Sequence, residues 1–206
     1  MTNSLKKLFE SDESLNRLVS GLPRAFEIVR QEMPPGNPAV GVLREHVIIG
    51  FFVTEYGAEN VEIPEKGIER GYDVKLFGTK LSIKTGTGNA PPKVLWTVDP
   101  LQIGREISRD YKPTCDMLVV NIYWSKNRDS IFFIPVEVQQ IVWAVMKDQY
   151  LDAKVGTNHR GISITRAAMT QLKAHEKTLK ARVHWVESGI EISPHAQWET
   201  YWKGTS

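Results

Sequence analysis

Apolar residues recur at helical spacing at Leu5, Leu8, Phe9, Leu15 and Leu18, and again at Phe26, Ile28 and Val29, which predicts short amphipathic helices near the N-terminus. Gly21-Leu22-Pro23 should break them and Pro34-Pro35-Gly36 should end them. Residues 40–57 are apolar almost all round, which predicts a buried central helix closed by Gly57. The period then falls to two. Val74, Leu76, Leu81 and Ile83 alternate with Asp73, Lys75, Ser82 and Lys84, the pattern of a half-buried hairpin, with Gly78-Thr79 suited to a two-residue turn. That turn sets Phe77 opposite Lys80, Lys75 opposite Ser82 and Asp73 opposite Lys84.

Further along, residues 94–98 read as a short strand and 100–112 as a helix stopped by Pro113. Residues 116–124 and 130–136 read as two strong strands about a turn at 125–129, and residues 138–147 and 165–180 as helices. This order predicts an α/β fold, a central mixed β-sheet flanked by helices. The whole chain, 1–206, is expected to form one domain, with 1–36 as a helical packing or dimerisation region.

The hairpin register brings the carboxylate of Asp73 and the amine of Lys84 onto one face. Such a pair is also the ordinary cross-strand ion pair, worth about 0.2–1 kcal/mol. What separates the two readings is the segment that follows, Thr85-Gly86-Thr87-Gly88-Asn89-Ala90-Pro91-Pro92-Lys93, a glycine- and proline-rich loop suited to close approach by a ligand. In the apolar helix the interior polar cluster is Arg44-Glu45-His46. Helical spacing puts Glu45 on a surface with Val42, Ile48, Ile49 and Phe52, so this acid needs a partner, either an internal salt bridge or the hairpin.

Composition changes the picture little. Of 206 residues, 41% are hydrophobic and 24% charged, as in ordinary globular proteins, and the longest apolar run, 47–53, is too short to span a bilayer. The single cysteine, Cys115, excludes an intrachain disulfide and reads as packing; with no charged-then-apolar leader, a cytoplasmic location is expected. Charge distribution says more than the net of +2. Residues 1–69 hold 7 Lys/Arg against 11 Asp/Glu, whereas 153–184 hold 7 Lys/Arg against Glu176 alone, with His159, His175 and His184 added. That is either a solvated face or a surface for a polyanion. The segment 154–161 carries Asn158, His159 and Arg160, residue types that read base edges, though it also suits a turn before a helix capped by Ser163 or Thr165. The six tryptophans read as core, with no aromatic stripe for single-strand stacking.

The string Asp73-x(8)-Ser82-Ile83-Lys84 resembles the active-site hairpin of the PD-(D/E)xK nucleases, the superfamily of most type II restriction endonucleases. It departs from that pattern at Tyr72, where proline is usual, and at Ser82, where a second acid is usual. Leu43-Arg44-Glu45, Asp73 to Gly78, Ser82 to Thr85 and Asn158 to Ser163 are similar to the ThaI-like restriction endonucleases over about residues 40–165. This resemblance implies Mg2+-dependent hydrolysis of double-stranded DNA at a palindromic site, CGCG for the ThaI-like group, by a homodimer. It implies a catalytic set of Glu45, Asp73, Ser82 and Lys84, with Asp73 and the Ile83 carbonyl as metal ligands. Arg44, Lys75, Thr85, Lys93, Asn158, His159 and Arg160 are the expected DNA contacts. The rivals are a repair or junction nuclease of the same fold, and a DNA-binding protein in which Ser82 marks a lost active site. A serine hydrolase is disfavoured by the lack of a Gly-x-Ser-x-Gly elbow, and Walker, zinc and dinucleotide motifs are missing.

Overall fold

The computed structural model describes residues 4–33, 37, 39–64, 71–96, 111–152 and 161–189. The expected helix at 100–112 therefore lies almost wholly outside the described residues, as do Asn158, His159, Arg160, Trp198 and Trp202.

Helix α1 (Ser4–Glu10) leads into α2 (Asp12–Glu32), whose N-cap Ser11 accepts a hydrogen bond from Ser14 N, with Asp12 and Glu13 in the first turn, where the helix dipole favours them. The expected break at Gly21-Leu22-Pro23 does not occur: α2 runs through Pro23. An interior proline costs about 3 kcal/mol. The same helix buries Leu18, Leu22, Phe26 and Val29, at about 1.5–3 kcal/mol for each fully buried large side chain, which outweighs that cost. Helix α3 (Ala39–Tyr56) starts on Asn37, whose Oδ1 accepts from Ala39 N at 2.9 Å, and stops at Gly57, which takes φ +83°. It is not buried all round. Arg44, Ile48, Ile49 and Phe52 are buried, while Val42, His46, Gly50 and Thr54 lie exposed.

The main sheet has six strands in the order β1-β2-β3-β5-β6-β9: β1 (Val61–Glu62), β2 (Val74–Leu76), β3 (Thr79–Thr87), β5 (Asp116–Ile122), β6 (Lys126–Ile134) and β9 (Leu179–Trp185). Strands β3 and β5 are parallel and the other neighbours antiparallel, so the sheet is mixed as expected. One face packs on α1, α2 and α3 through Leu8, Phe26, Phe52, Ile83, Val120 and Trp185. The other packs on α4 (Val136–Met146), α5 (Arg166–Ala174) and a small sheet of β4 (Lys93–Trp96), β8 (Gly161–Ile164) and β7 (Leu151–Asp152). Every residue of β5 is buried, as a strand covered on both faces requires.

Three further expectations are corrected. The polar stretch at 125–129 is not a turn. The chain reverses at Trp124-Ser125, with Ser125 at φ +62°, and residues 126–129 pair with β9 as the exposed end of β6. The expected helix 165–180 ends at Ala174, and Leu179–Trp185 is a strand whose Ala181, Val183 and Trp185 face the core while Lys180, Arg182 and His184 face solvent. Thr165, rather than Ser163, caps α5, its Oγ1 accepting from Ala168 N at 3.2 Å.

Candidate active site

The hairpin turn falls one residue earlier than expected. Phe77 and Gly78 both take positive φ, +48° and +78°, the signature of a type I′ turn, and Leu76 pairs with Thr79. Extended by one step, that register sets Asp73 against Ser82 rather than Lys84. A shift of two positions along the partner strand keeps the parity, so Asp73, Ser82 and Lys84 still share a face. Lys84 reaches the acid diagonally: its Nζ lies 3.0 Å from Asp73 Oδ2. The same oxygen accepts from Ile83 N at 2.6 Å and from Ser82 Oγ at 3.1 Å. Three donors therefore converge on Oδ2, and among the described residues no donor reaches Oδ1.

This cluster sits where the sheet opens. Strand β2 covers β3 only over Thr79–Leu81, so among the described residues β3 has no strand partner on that side from Ser82 to Thr87. The Ile83 N–H points to this open edge, since it bonds Asp73; in a strand the N–H and C=O of one residue point the same way, so its carbonyl faces the edge too. A cavity of about 440 Å³ lies over the edge, lined by Glu45, Asp73, Lys84, Thr85, Lys93 and Asn121 among others. Glu45 reaches it from α3. Burial pushes its carboxyl up to about 7; the Lys84 ammonium pulls it down and the Asp73 carboxylate pushes it up again. Lys84 and Asp73, themselves in contact, thus both act on Glu45.

The remaining expected residues separate. Thr85 lines the cavity, and its buried Oγ1 has no hydrogen-bond partner among the described residues; Lys93 stands exposed at the rim. Arg44 does not face the cavity. It is buried on the other side of α3 with its guanidinium 5.7 Å from the Phe26 ring centroid, because the turn of the helix that aims Glu45 at the hairpin aims its neighbour at α2. Lys75 is held by Glu62 of β1 at 2.6 Å. Cys115 is half-buried with its Sγ 3.2 Å from the Gly71 carbonyl, and burial pushes its thiol up to about 11, a packing role as expected. Sequence reasoning missed Asn121. It is buried yet lines the cavity, and the signal was there: a lone amide inside the apolar run of β5.

Among the described residues no three His, Cys, Asp or Glu side chains cluster as a closed metal cage. The donors at the edge are nonetheless hard oxygens: Asp73 Oδ1, which no donor reaches among the described residues, the Ile83 carbonyl and the nearby Glu45 carboxylate. Such a set fits a small divalent cation that keeps several waters, as Mg2+ does.

An acid and a lysine joined across a hairpin, at the open edge of a mixed α/β sheet, are the arrangement expected of a nuclease of the restriction-endonuclease type. The chain matches the family described as Restriction endonuclease ThaI over residues 15–204. It is also similar to a solved structure described as a restriction endonuclease in complex with substrate DNA, at 31% identity and a TM-score of 0.87, over 98% of this chain and 100% of that one. No curated protein matches it. The chain belongs to the ThaI restriction endonuclease family and is a site-specific deoxyribonuclease.

Proposed function

We propose that this chain is a Mg2+-dependent type II restriction endonuclease that hydrolyses phosphodiester bonds of double-stranded DNA at a short palindrome, CGCG by resemblance to its family. The observation that carries the reading is the contact of Lys84 with Asp73 beside Ile83, at a strand edge opening into the cavity that Glu45 also enters. The relative solved with substrate DNA supports a duplex as the ligand.

Asp73 Oδ1 and the Ile83 carbonyl would hold the divalent ion. When bound, the ion neutralises the scissile phosphate and lowers the pKa of an attacking water. Lys84 orients that water and stabilises charge as it develops on the phosphate oxygens. Ser82 donates to Asp73 Oδ2, so the serine in place of a second acid braces the first acid instead of adding a charge. Glu45 supplies the second carboxylate from α3. Thr85 and Lys93, at the cavity, and Asn158, His159 and Arg160 are the proposed DNA contacts. Cutting both strands of a palindrome needs two sites, so the active species is a homodimer of single-domain subunits, acting in the cytoplasm. Among the described residues no helix is long and apolar enough to cross a membrane.

Incubating the protein with plasmid of known sequence in Mg2+ and sequencing the fragment ends tests the reading. Discrete ends at one palindrome are expected. Random nicking or branch-selective cutting would favour a repair-type nuclease, and salt-sensitive duplex binding with no metal-dependent cleavage would favour a DNA-binding protein without activity.

A further inference from the structure

Besides Glu45, Asp73 and Lys84, the cavity has a backbone wall. Residues 86 and 90–93 line one side of it, in the glycine- and proline-rich segment that leaves β3. This segment is tied at two points. Near its start, Gly88 N donates to the Ile122 carbonyl at 2.8 Å and the Tyr123 hydroxyl bonds Asn89 Oδ1; near its end, the Pro92 carbonyl accepts from Ile164 N at 3.0 Å. Asn121 of β5, the register partner of Gly86 and only 2% exposed, faces the segment. Its Nδ2 donates to the Gly88 carbonyl at 2.9 Å, and its Oδ1 accepts from Lys173 Nζ of α5 at 2.6 Å. A lysine only donates and a carbonyl only accepts, so these two partners leave the amide one orientation.

Lys173 is an unusual residue to spend on a support. It is half-buried, and its Nζ sits 4.3 Å from the centroid of the Phe132 ring. Among the described residues it has no carboxylate partner, and burial together with the Arg128 charge brings its ammonium down to about 8. A desolvated cation without a counterion is unfavourable, and its hydrogen bond among the described residues is aimed at the amide that holds the cavity wall.

We infer that Lys173 and Asn121 are positioning residues for DNA cleavage: the hydrogen-bond chain Lys173 to Asn121 to Gly88 fixes residues 86–93 as the wall against which the scissile phosphate is set. The inference rests on the nuclease reading above. Lys173 acts through Asn121, and it is not itself a phosphate ligand.

The test uses the full chain with Lys173→Met, Lys173→Arg and Asn121→Asp. Asn121→Asp is isosteric and keeps an acceptor for Lys173 but removes the donor to Gly88, so it cuts the chain at its second link. Under enzyme excess in Mg2+, the single-turnover rate of Lys173→Met and Asn121→Asp should fall about 10²-fold, the scale of a small misplacement at a reacting centre, with Lys173→Arg recovering most of it. Duplex affinity of Lys173→Met and its slope of log Kd against log salt should stay near the wild-type values. Amide exchange at Gly88 and Asn89, measured without DNA, should speed up in both cut variants.

Loss of about one unit of salt slope in Lys173→Met, with weaker binding, would make Lys173 a direct phosphate contact and overturn the inference. A lower Tm with an unchanged single-turnover rate would overturn it as well, by reducing both residues to packing. Unchanged amide exchange would show that the chain holds nothing. Should the wild type fail to cut DNA at all, the nuclease reading fails by itself, and the exchange experiment still decides whether the clasp exists.

Discussion

Two lysines of the same hairpin each hold an acid, and the two pairs differ in everything but their chemistry. Lys75 meets Glu62 at 2.6 Å, the shorter contact, yet the Glu62 side chain is 63% exposed and the pair bridges two strands at the rim of the sheet. Lys84 meets Asp73 at 3.0 Å with side chains 20% and 27% exposed, and there the acid also accepts a backbone N–H and a hydroxyl and lies in a cavity with a second carboxylate. Contact distance does not mark the functional pair. What sets Asp73 apart is that three donors meet on its Oδ2 and that it lines the cavity with Glu45, beside the stretch of β3 that β2 no longer covers.

The largest effect that would break this comparison is on the metal. Asp73→Asn, or removal of divalent ions by a chelator, should lower cleavage by about 10³-fold or more, since it takes away the charge that stabilises the transition state. Glu62→Gln should leave the rate within about threefold. Both are read from digestion of a duplex carrying one site.

The next effect is on register. The type I′ turn needs positive φ at Gly78, so Gly78→Val should destabilise the fold by about 1–2 kcal/mol in urea unfolding. It should also depress cleavage beyond the loss of folded protein, because Asp73 and Lys84 are brought together by the pairing that this turn sets. Undiminished activity per folded molecule would mean that the site does not depend on the hairpin.

Glu45 sharpens the comparison through pH. Its carboxyl rises from the usual 4.5 to about 7 in the metal-free protein, so between those values the folded state binds more protons than the unfolded one, and stability falls as pH rises. The stability contribution is present in full below about 4.5 and gone above about 7. Glu45→Gln should flatten that slope in denaturant midpoints measured from pH 4.5 to 7.5 without divalent ions. The smallest effect is the exposed pair itself: Glu62→Gln should change stability by no more than about 1 kcal/mol.

Much of the site was legible before the fold, for a reason the hairpin makes plain. Side-chain parity in a strand survives an error of two in register, so Asp73 and Lys84 were placed on one face although the turn was set a residue late. Helical spacing showed that Glu45 needs a partner but left an internal salt bridge and the hairpin both open; Glu45 enters the cavity beside the hairpin, and Arg44, one residue and about 100° away round the helix, faces Phe26 instead. Elements whose signals compete with tertiary packing were misread. Pro23 sits inside α2 because the helix's buried face holds it, and the expected helix 165–180 runs past Ala174 into Leu179 and Lys180, the first residues of a strand of clean period-2 alternation. The support of the cavity wall by Lys173 was invisible, since its partner Asn121 lies 52 positions away in sequence.

The most direct test sets the two lysines against each other. Lys84→Met and Lys75→Met are compared for single-turnover cleavage of a duplex in Mg2+, each corrected for its folded fraction. A loss of about 10²–10³-fold confined to Lys84→Met is the expected result. Equal rates for the two variants would contradict the claim that the pair at the open strand edge carries the chemistry.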